Sequence, residues 1–190
     1  MDEKQYKQPP SRTFSIYDVN TPSSKPDVTT PLKQAIVTTE DRIRHLEIEI
    51  GVFFSHDGRV ISLRQGNANS IGFNQQELFA AQKSYFTHNH PNGNTFSTQD
   101  IETASELELS EIRVVTKNLR FSMSTVSCGW PSKIDLQKAL DELNTKANDI
   151  VKNMINTDEI HPKFATVEKN HQLWLLVANK FGLLYTREKS

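Results

Sequence analysis

One stretch, Thr87-His88-Asn89-His90-Pro91-Asn92-Gly93-Asn94-Thr95-Phe96-Ser97-Thr98-Gln99-Asp100, is predicted to join a strand, a turn and a helix. Residues 85–87, with two aromatic side chains and a threonine, are typical of a short strand. Pro91 and Gly93 favour a turn. Ser97 is a suitable N-cap residue, and Asp100 three positions later completes the pattern of a capping box. The chain is therefore expected to turn from strand into helix within these residues.

The same stretch predicts a metal site. Side chains two positions apart on a strand point to one face, so His88 and His90 can converge on one ion. Asp100 lies in the first turn of the predicted helix, beside the end of the strand. Two histidines and an aspartate are suitable ligands for Zn²⁺, and a catalytic zinc keeps its fourth position for water. A His-x-His pair alone, or Ser-x-x-Asp alone, is weak support, because the second is usually only a helix cap. Their combination is much more specific.

His88-Asn89-His90-Pro91-x-Gly93 followed by Ser97-x-x-Asp100 resembles the signature of the JAMM (MPN-plus) zinc metalloproteases. The His-Asn-His-Pro form is similar to the bacterial and phage branches, which include RadC-like proteins. The spacing from His90 to Ser97 is one residue shorter than in the eukaryotic enzymes of the family. The resemblance covers roughly residues 45–130. It implies a Zn²⁺ cofactor, hydrolysis of a peptide or isopeptide bond, and a protein or peptide substrate.

The resemblance also implies a glutamate on an upstream strand that acts as general base. Residues 46–54 are the plausible strand, with Glu47 and Glu49 on one face. Glu49 is the choice, because Glu49-x-Gly-Val-Phe before an Asp-Gly turn resembles the bacterial pattern; Glu47 is the alternative. Ser97 would donate a hydrogen bond to the oxyanion that forms during attack, or would serve only as the helix cap.

The hydrophobic patterns predict an α+β fold, an α/β-type sandwich in which a mixed central sheet is flanked by helices, as the JAMM/MPN resemblance also implies. Residues 1–31 form the predicted flexible arm, with five of the eight prolines. Residues 32–131 form the predicted JAMM-like catalytic domain. Residues 132–190 form the predicted helical extension that packs on it. In the arm, residues 16–19 could dock as an edge strand or a partner motif, or stay disordered.

Within this plan, most elements follow from local patterns. The predicted strands after residue 54 are a return strand at 60–63 and a hairpin of 112–116 with 121–126. The predicted helices are 74–83, with Leu78, Phe79 and Ala81 buried, 97–109, one from 132 over more than five turns, and one from 162 to 182. Residues 183–185 are expected to form a strand or to pack on the core.

Composition limits the other function classes. The net charge is −1 and the pI is about 6.6, which gives no support to a nucleic-acid surface. Cys128 is the single cysteine, so no intrachain disulfide is expected, and there is no apolar stretch or signal peptide that indicates a membrane or export. The expected location is the cytoplasm. The oligomeric state is not predicted.

Two other functions compete with the protease hypothesis. One is a nucleic-acid-linked role by analogy with RadC-like proteins, which the balanced charge does not favour. The other is a non-catalytic MPN-like scaffold for protein assembly. Such scaffolds usually lack some of the metal ligands, whereas all the expected residue types are present here.

Overall fold

The computed structural model describes residues 16–126 and 129–190, and this part of the chain forms an α+β fold. The predictions for residues 1–15 and for Cys128 lie outside the described residues. The helices are α1 (Pro31–Ile43), α2 (Gln75–Ala80), α3 (Thr98–Glu106), α4 (Lys133–Asn156) and α5 (Ala165–Phe181), with a 3-10 turn at Pro162–Phe164. The strands are β1 (Ile50–Phe54), β2 (Val60–Gln65), β3 (Tyr85–Asn89), β4 (Glu111–Val115), β5 (Leu119–Thr125) and β6 (Leu183–Lys189).

The six strands form one mixed sheet in the order β2-β1-β3-β4-β5-β6. Only β3 and β4 are parallel, and α3 connects them as the crossover helix. The other neighbours are antiparallel, and β1 pairs with β3 so that Gly51 lies opposite His88. The predicted return strand and the β4–β5 hairpin are confirmed.

The sheet has helices on both faces, as a layered domain requires. On one face α1 packs over the side chains of Val52, Phe54 and Val115. On the other face α3, α4 and α5 cover a larger apolar core. Each helix contributes buried side chains to it, for example Ile101 from α3, Leu136 from α4 and Trp174 from α5. Alternation along β3 therefore places Thr87 and Asn89 on the α1 face, and His88 and His90 on the α3 face.

Most helix ends follow from capping residues visible in the sequence. Ser97 and Ser132 accept hydrogen bonds from backbone N–H groups at the starts of α3 and α4. Gly182 ends α5 with φ of +67°, a conformation that suits glycine. Among the helices in the described ranges, none combines the length and the apolar character that crossing a membrane requires.

Two local expectations are wrong. The predicted strand at 46–54 begins only at Ile50, and residues 46–49 belong to neither helix nor strand. Glu47 and Glu49 therefore do not share a strand face. The second error concerns α2, which ends at Ala80 and leaves the Phe79 side chain 77% exposed. A helix of fewer than two turns buries too few of its side chains for the periodicity to decide which ones are buried.

The C-terminal residues complete the sheet as well as adding helices. β6 pairs with β5 along its whole length, which settles the open alternative for residues 183–185 in favour of a strand. Residues of the predicted arm contact both α5 and β6: the Tyr17 hydroxyl donates to the carboxylate of Glu168 on α5 at 2.7 Å, and the Ser24 N–H donates to O of Lys189 on β6 at 2.8 Å. The domain boundary at 131 stays a prediction.

A buried group of charges joins α1 to the sheet. Glu40 is fully buried, and its carboxylate accepts hydrogen bonds from Arg113 Nε at 2.6 Å and from Arg120 Nε at 3.0 Å. The hydroxyl of Thr87 on β3 donates to the same carboxylate at 3.1 Å. One glutamate therefore links α1 to β3, β4 and β5.

Candidate metal centre

The three predicted ligand side chains meet at the end of β3. The Nε2 atoms of His88 and His90 lie 3.0 Å apart, and Asp100 Oδ1 and Oδ2 lie 3.1 Å and 3.5 Å from them, respectively. The ligand atoms of a tetrahedral zinc site, each about 2.0–2.1 Å from the ion, are separated by about 3.3 Å. The separations in the structure thus fit a single small ion, and these residues form a buried group of mutually close donor atoms.

Two elements bring these side chains together. His88 lies within β3 and His90 directly follows its last residue, both on the face towards α3. Asp100 is held in the first turn of α3 by a capping box: Ser97 N–H donates to Asp100 Oδ2 at 2.6 Å, and Asp100 N–H donates to Ser97 Oγ at 3.2 Å. The box restricts the carboxylate to the side of the helix that faces β3, as the sequence predicts.

His90 is oriented by the loop that follows it. Its Nδ1 lies 3.0 Å from Thr95 O and 3.2 Å from Asn94 O, and only a protonated Nδ1 can donate to these carbonyls. The Nε2 lone pair is then directed at the other two ligands, an arrangement typical of metal-binding histidines. Burial lowers the pKa of His90 to about 4, so the ring is neutral and able to bind a metal at neutral pH.

His88 is fixed by packing. Its ring stacks on Phe86, with centroids 4.9 Å apart and planes 15° from parallel. Phe86 lies over Gly51 of β1, where a Cβ atom would come within 3.0 Å of the aromatic ring. Nδ1 of His88 is buried and has no hydrogen-bond partner within residues 16–126 and 129–190. The two histidines therefore differ, because only His90 has a carbonyl that selects its tautomer.

Asp100 is suited to bind a cation. Its burial acts to raise the pKa of the carboxyl, but the neighbouring His88 and His90 and the hydrogen bond from Ser97 N–H outweigh that effect and hold the pKa below its usual range. The carboxylate is therefore ionised at any pH at which the protein is expected to work.

Glu49 lies directly before β1, two residues from Gly51, which pairs with His88 on β3. Its side chain is only 6% exposed, and burial raises its pKa, with Asp100 adding to that effect and His88 opposing it. Glu49 is not part of the group of mutually close ligand atoms formed by the described residues. Glu47 is exposed in a bend, which makes it a poor candidate for the same role.

Ser97 has the position that its sequence pattern indicates. Its exposed side chain accepts the N–H of Asp100 as the N-cap of α3. Across the described ranges, Ser97 Oγ accepts this hydrogen bond and donates none, so its proton is available to a further acceptor.

Two sets of supporting residues are absent from the sequence prediction. One is Asn89, which is fully buried between the two histidines. Asparagine is uncommon inside strands, and that was the one available signal. The other is the contact between α5 and the loop at 94–96, for which no local pattern exists because the partners are about 75 residues or more apart in the chain.

Helix α5 and strand β6 support the loop that orients His90. Trp174 Nε1–H donates to Phe96 O at 2.7 Å, from a side chain that is almost completely buried. Tyr185 Oη lies 3.5 Å from Thr95 Oγ1 and 3.0 Å from His171 Nδ1. His171 is thus a buried histidine whose ring has a hydrogen-bond partner.

We expect Trp174→Phe to weaken zinc binding roughly tenfold, by analogy with the loss of other groups that orient a metal ligand. The substitution keeps an aromatic ring in the core and leaves the carbonyl of Phe96 unpaired, so the loop that receives the His90 N–H becomes less fixed. Competition with a chromophoric chelator measures the dissociation constant.

Trp130→Phe is the matched control. The indole N–H of Trp130 also donates to a backbone carbonyl, Leu109 O, at the same distance of 2.7 Å, but at the junction of α3 and β4, away from the 94–96 loop. It should leave zinc affinity unchanged. Equal affinities for the two variants would show that the loop contact has no influence on the metal site.

No protein-family model, curated protein or solved structure gives a significant match to this chain. The structure by itself places two imidazoles and one carboxylate at ligand distance of one another, with a second buried carboxyl group nearby. The chain contains a buried His88-His90-Asp100 group that is consistent with a metal site.

Proposed function

We propose that the protein is a zinc-dependent hydrolase of peptide or isopeptide bonds, similar in mechanism to the JAMM metalloproteases. The observation that supports this proposal most directly is the group of His88, His90 and Asp100, whose ligand atoms are separated as in a tetrahedral site. Two imidazoles and one carboxylate are a ligand set that suits Zn²⁺. Three protein ligands leave a fourth position, which is typical of catalytic zinc.

A zinc ion bound by these residues would supply a water of lowered pKa and would polarise the scissile carbonyl. Glu49 would accept a proton from the attacking water and deliver it to the leaving amine. Its raised pKa supports this role, because a general base works best when its pKa lies closer to the working pH.

Ser97 would act in the same step through its free hydroxyl proton, by donating a hydrogen bond to the oxyanion that develops on the substrate carbonyl. This role is compatible with its function as N-cap, since the cap uses a lone pair of Oγ and not its proton. The substrate class is a protein or peptide.

The metal content of the purified protein tests the proposal. Elemental analysis of protein prepared without chelator should give about one zinc per chain, and His90→Ala should lose it, because two remaining ligands bind zinc weakly. His56→Ala is the control: His56 is exposed at the β1–β2 turn and should leave the zinc content unchanged. The zinc-loaded protein is then assayed on peptide and isopeptide-linked substrates.

No zinc in the purified protein, and none after zinc is added, would overturn the proposal and favour the non-catalytic scaffold. Zinc retained by His90→Ala would mean that the metal binds elsewhere, and would also contradict it. Zinc bound at the site with no hydrolysis of either substrate type would keep the metal centre but reject the peptidase activity.

A further inference from the structure

We infer that Asn89 is a positioning residue that sets the place of Glu49 relative to the metal centre. The inference rests on the proposed function and adds to it a residue that makes no contact with the metal or the reacting atoms. Asn89 lies between His88 and His90 on β3 but points to the opposite, α1-facing side of the sheet. It is fully buried.

The side-chain amide of Asn89 binds the backbone on both sides of Glu49. Its Oδ1 accepts the N–H of Ile50 at 2.7 Å. Its Nδ2 donates to Ile48 O at 2.9 Å and to Leu46 O at 3.3 Å. Both amide protons and one oxygen lone pair are thus used on residues 46–50, which is the full donor capacity of an asparagine.

Residues 46–49 need this support because they belong to no helix or strand. The amide and carbonyl of Glu49 itself bond to Asn67 O and Gly66 N, both at 2.8 Å, in the loop that follows β2. These bonds fix the Glu49 peptide on the β2 side, and those of Asn89 fix it on the β3 side. The carboxylate of Glu49 accepts no hydrogen bond from any described residue. The position of the carboxylate is therefore set mainly by its backbone.

The arrangement links the base to the ligands through one short piece of strand. His88, Asn89 and His90 are consecutive, so their Cα atoms are separated by the fixed spacing of about 3.8 Å. The side chains of His88 and His90 would hold the metal on one face of the sheet. The side chain of Asn89 fixes residues 46–50 from the opposite face. A shift of β3 would therefore move the two histidines and the segment that carries Glu49 together, and their relative position would be conserved.

Asn89→Leu tests the inference, because leucine has a similar size and cannot form any of the three hydrogen bonds. We expect faster amide hydrogen exchange in residues 46–50, including the Ile50 N–H, with zinc content unchanged. We also expect kcat to fall on the order of 10²-fold, the size of effect that a displacement of about 1 Å produces. KM should change little, since Asn89 is buried away from any substrate surface.

Two further variants separate positioning from folding. Asn89→Ala leaves space in which water can replace part of the amide, so it remains informative if the leucine variant does not fold. Ser84→Ala is the control: Ser84 is buried just before β3, and its hydroxyl donates to Ala81 O at 2.6 Å. It removes a buried hydrogen bond at the other end of the strand and should change neither exchange in 46–50 nor kcat.

The outcomes distinguish this inference from the proposed function. Normal exchange in residues 46–50 of Asn89→Leu, or an unchanged kcat beside an active wild type, would overturn the positioning role and leave the hydrolase intact. A wild type without hydrolytic activity would reject the proposed function, and the role of Asn89 in catalysis with it, while the exchange result would still report on the segment. Failure of both Asn89 variants to fold would assign the residue to the fold alone.

Discussion

Glu49→Gln is expected to lower peptide hydrolysis by about 10²–10⁴-fold while the zinc content stays at about one per chain. Glutamine keeps the size and shape of the side chain but cannot accept a proton at neutral pH. The metal should remain because His88, His90 and Asp100 form the ligand group without Glu49. Steady-state kinetics on a cleaved peptide or isopeptide, beside elemental analysis of the same preparation, measures both effects.

Glu47→Gln is the natural comparison, since it makes the same chemical change two residues away in an exposed bend. It should behave as the wild type. Full activity in Glu49→Gln, combined with loss of activity in Glu47→Gln, would transfer the role of base to Glu47. Loss of zinc in Glu49→Gln would show that Glu49 is a ligand and would contradict its assignment as the base.

Glu40→Ala should destabilise the protein by about 3–5 kcal/mol, which is the usual cost of removing one partner from a buried ionic group. Glu40 is fully buried between Arg113 and Arg120. Its loss leaves two buried guanidinium groups close to each other without the anion between them. For a chain of this length, the Tm should fall by on the order of 10 °C. Thermal and urea unfolding of the zinc-free protein measure the change.

Lys33→Ala provides the control within the same helix. Lys33 pairs with Asp27, but both side chains are about half exposed. Exposed ion pairs contribute little to stability, so the unfolding midpoint should change only slightly. A similar midpoint for Glu40→Ala and Lys33→Ala would mean that the pairs which Arg113 and Arg120 already form with Glu111 and Asp41 are sufficient, and that Glu40 is not important for stability.

The parts of the fold that the sequence predicts correctly are those in which neighbouring residues decide the structure. The turn after residue 90, the capping box of α3 and the glycine end of α5 each depend on a few consecutive side chains. The strand predicted at 46–54 fails for a different reason. Leu46 and Ile48 alternate with acids as in a strand, but Asn89 binds their carbonyls instead of a neighbouring strand. Such a competition between partners cannot be seen from local alternation.

The residues of the candidate site also divide into those that neighbouring residues predict and those that depend on distant parts of the chain. The sequence predicts His88, His90 and Asp100 together, because a strand end and a helix start bring them close within a few residues. Glu49 is predicted only through the family resemblance, and its role as the base stays a prediction; the residue itself is buried near His88. Trp174 falls within the helix predicted from 162 to 182, and no local pattern gives its side chain a partner. Its indole N–H binds a carbonyl 78 residues away, which no pattern of period 3.6 reveals.

The candidate ligands all fall within residues 88–100, in one strand–loop–helix unit. Closing the short loop between residues 88 and 100 costs little chain entropy. A metal ion can therefore bind these side chains early in folding. Residues 46–50 and α5 reach the site only through contacts between distant parts of the chain, and such contacts form more slowly. For the proposed zinc hydrolase, we therefore expect metal uptake and the arrival of Glu49 at the site to be separate events during refolding, so that a metal-bound chain without activity forms before the finished protein.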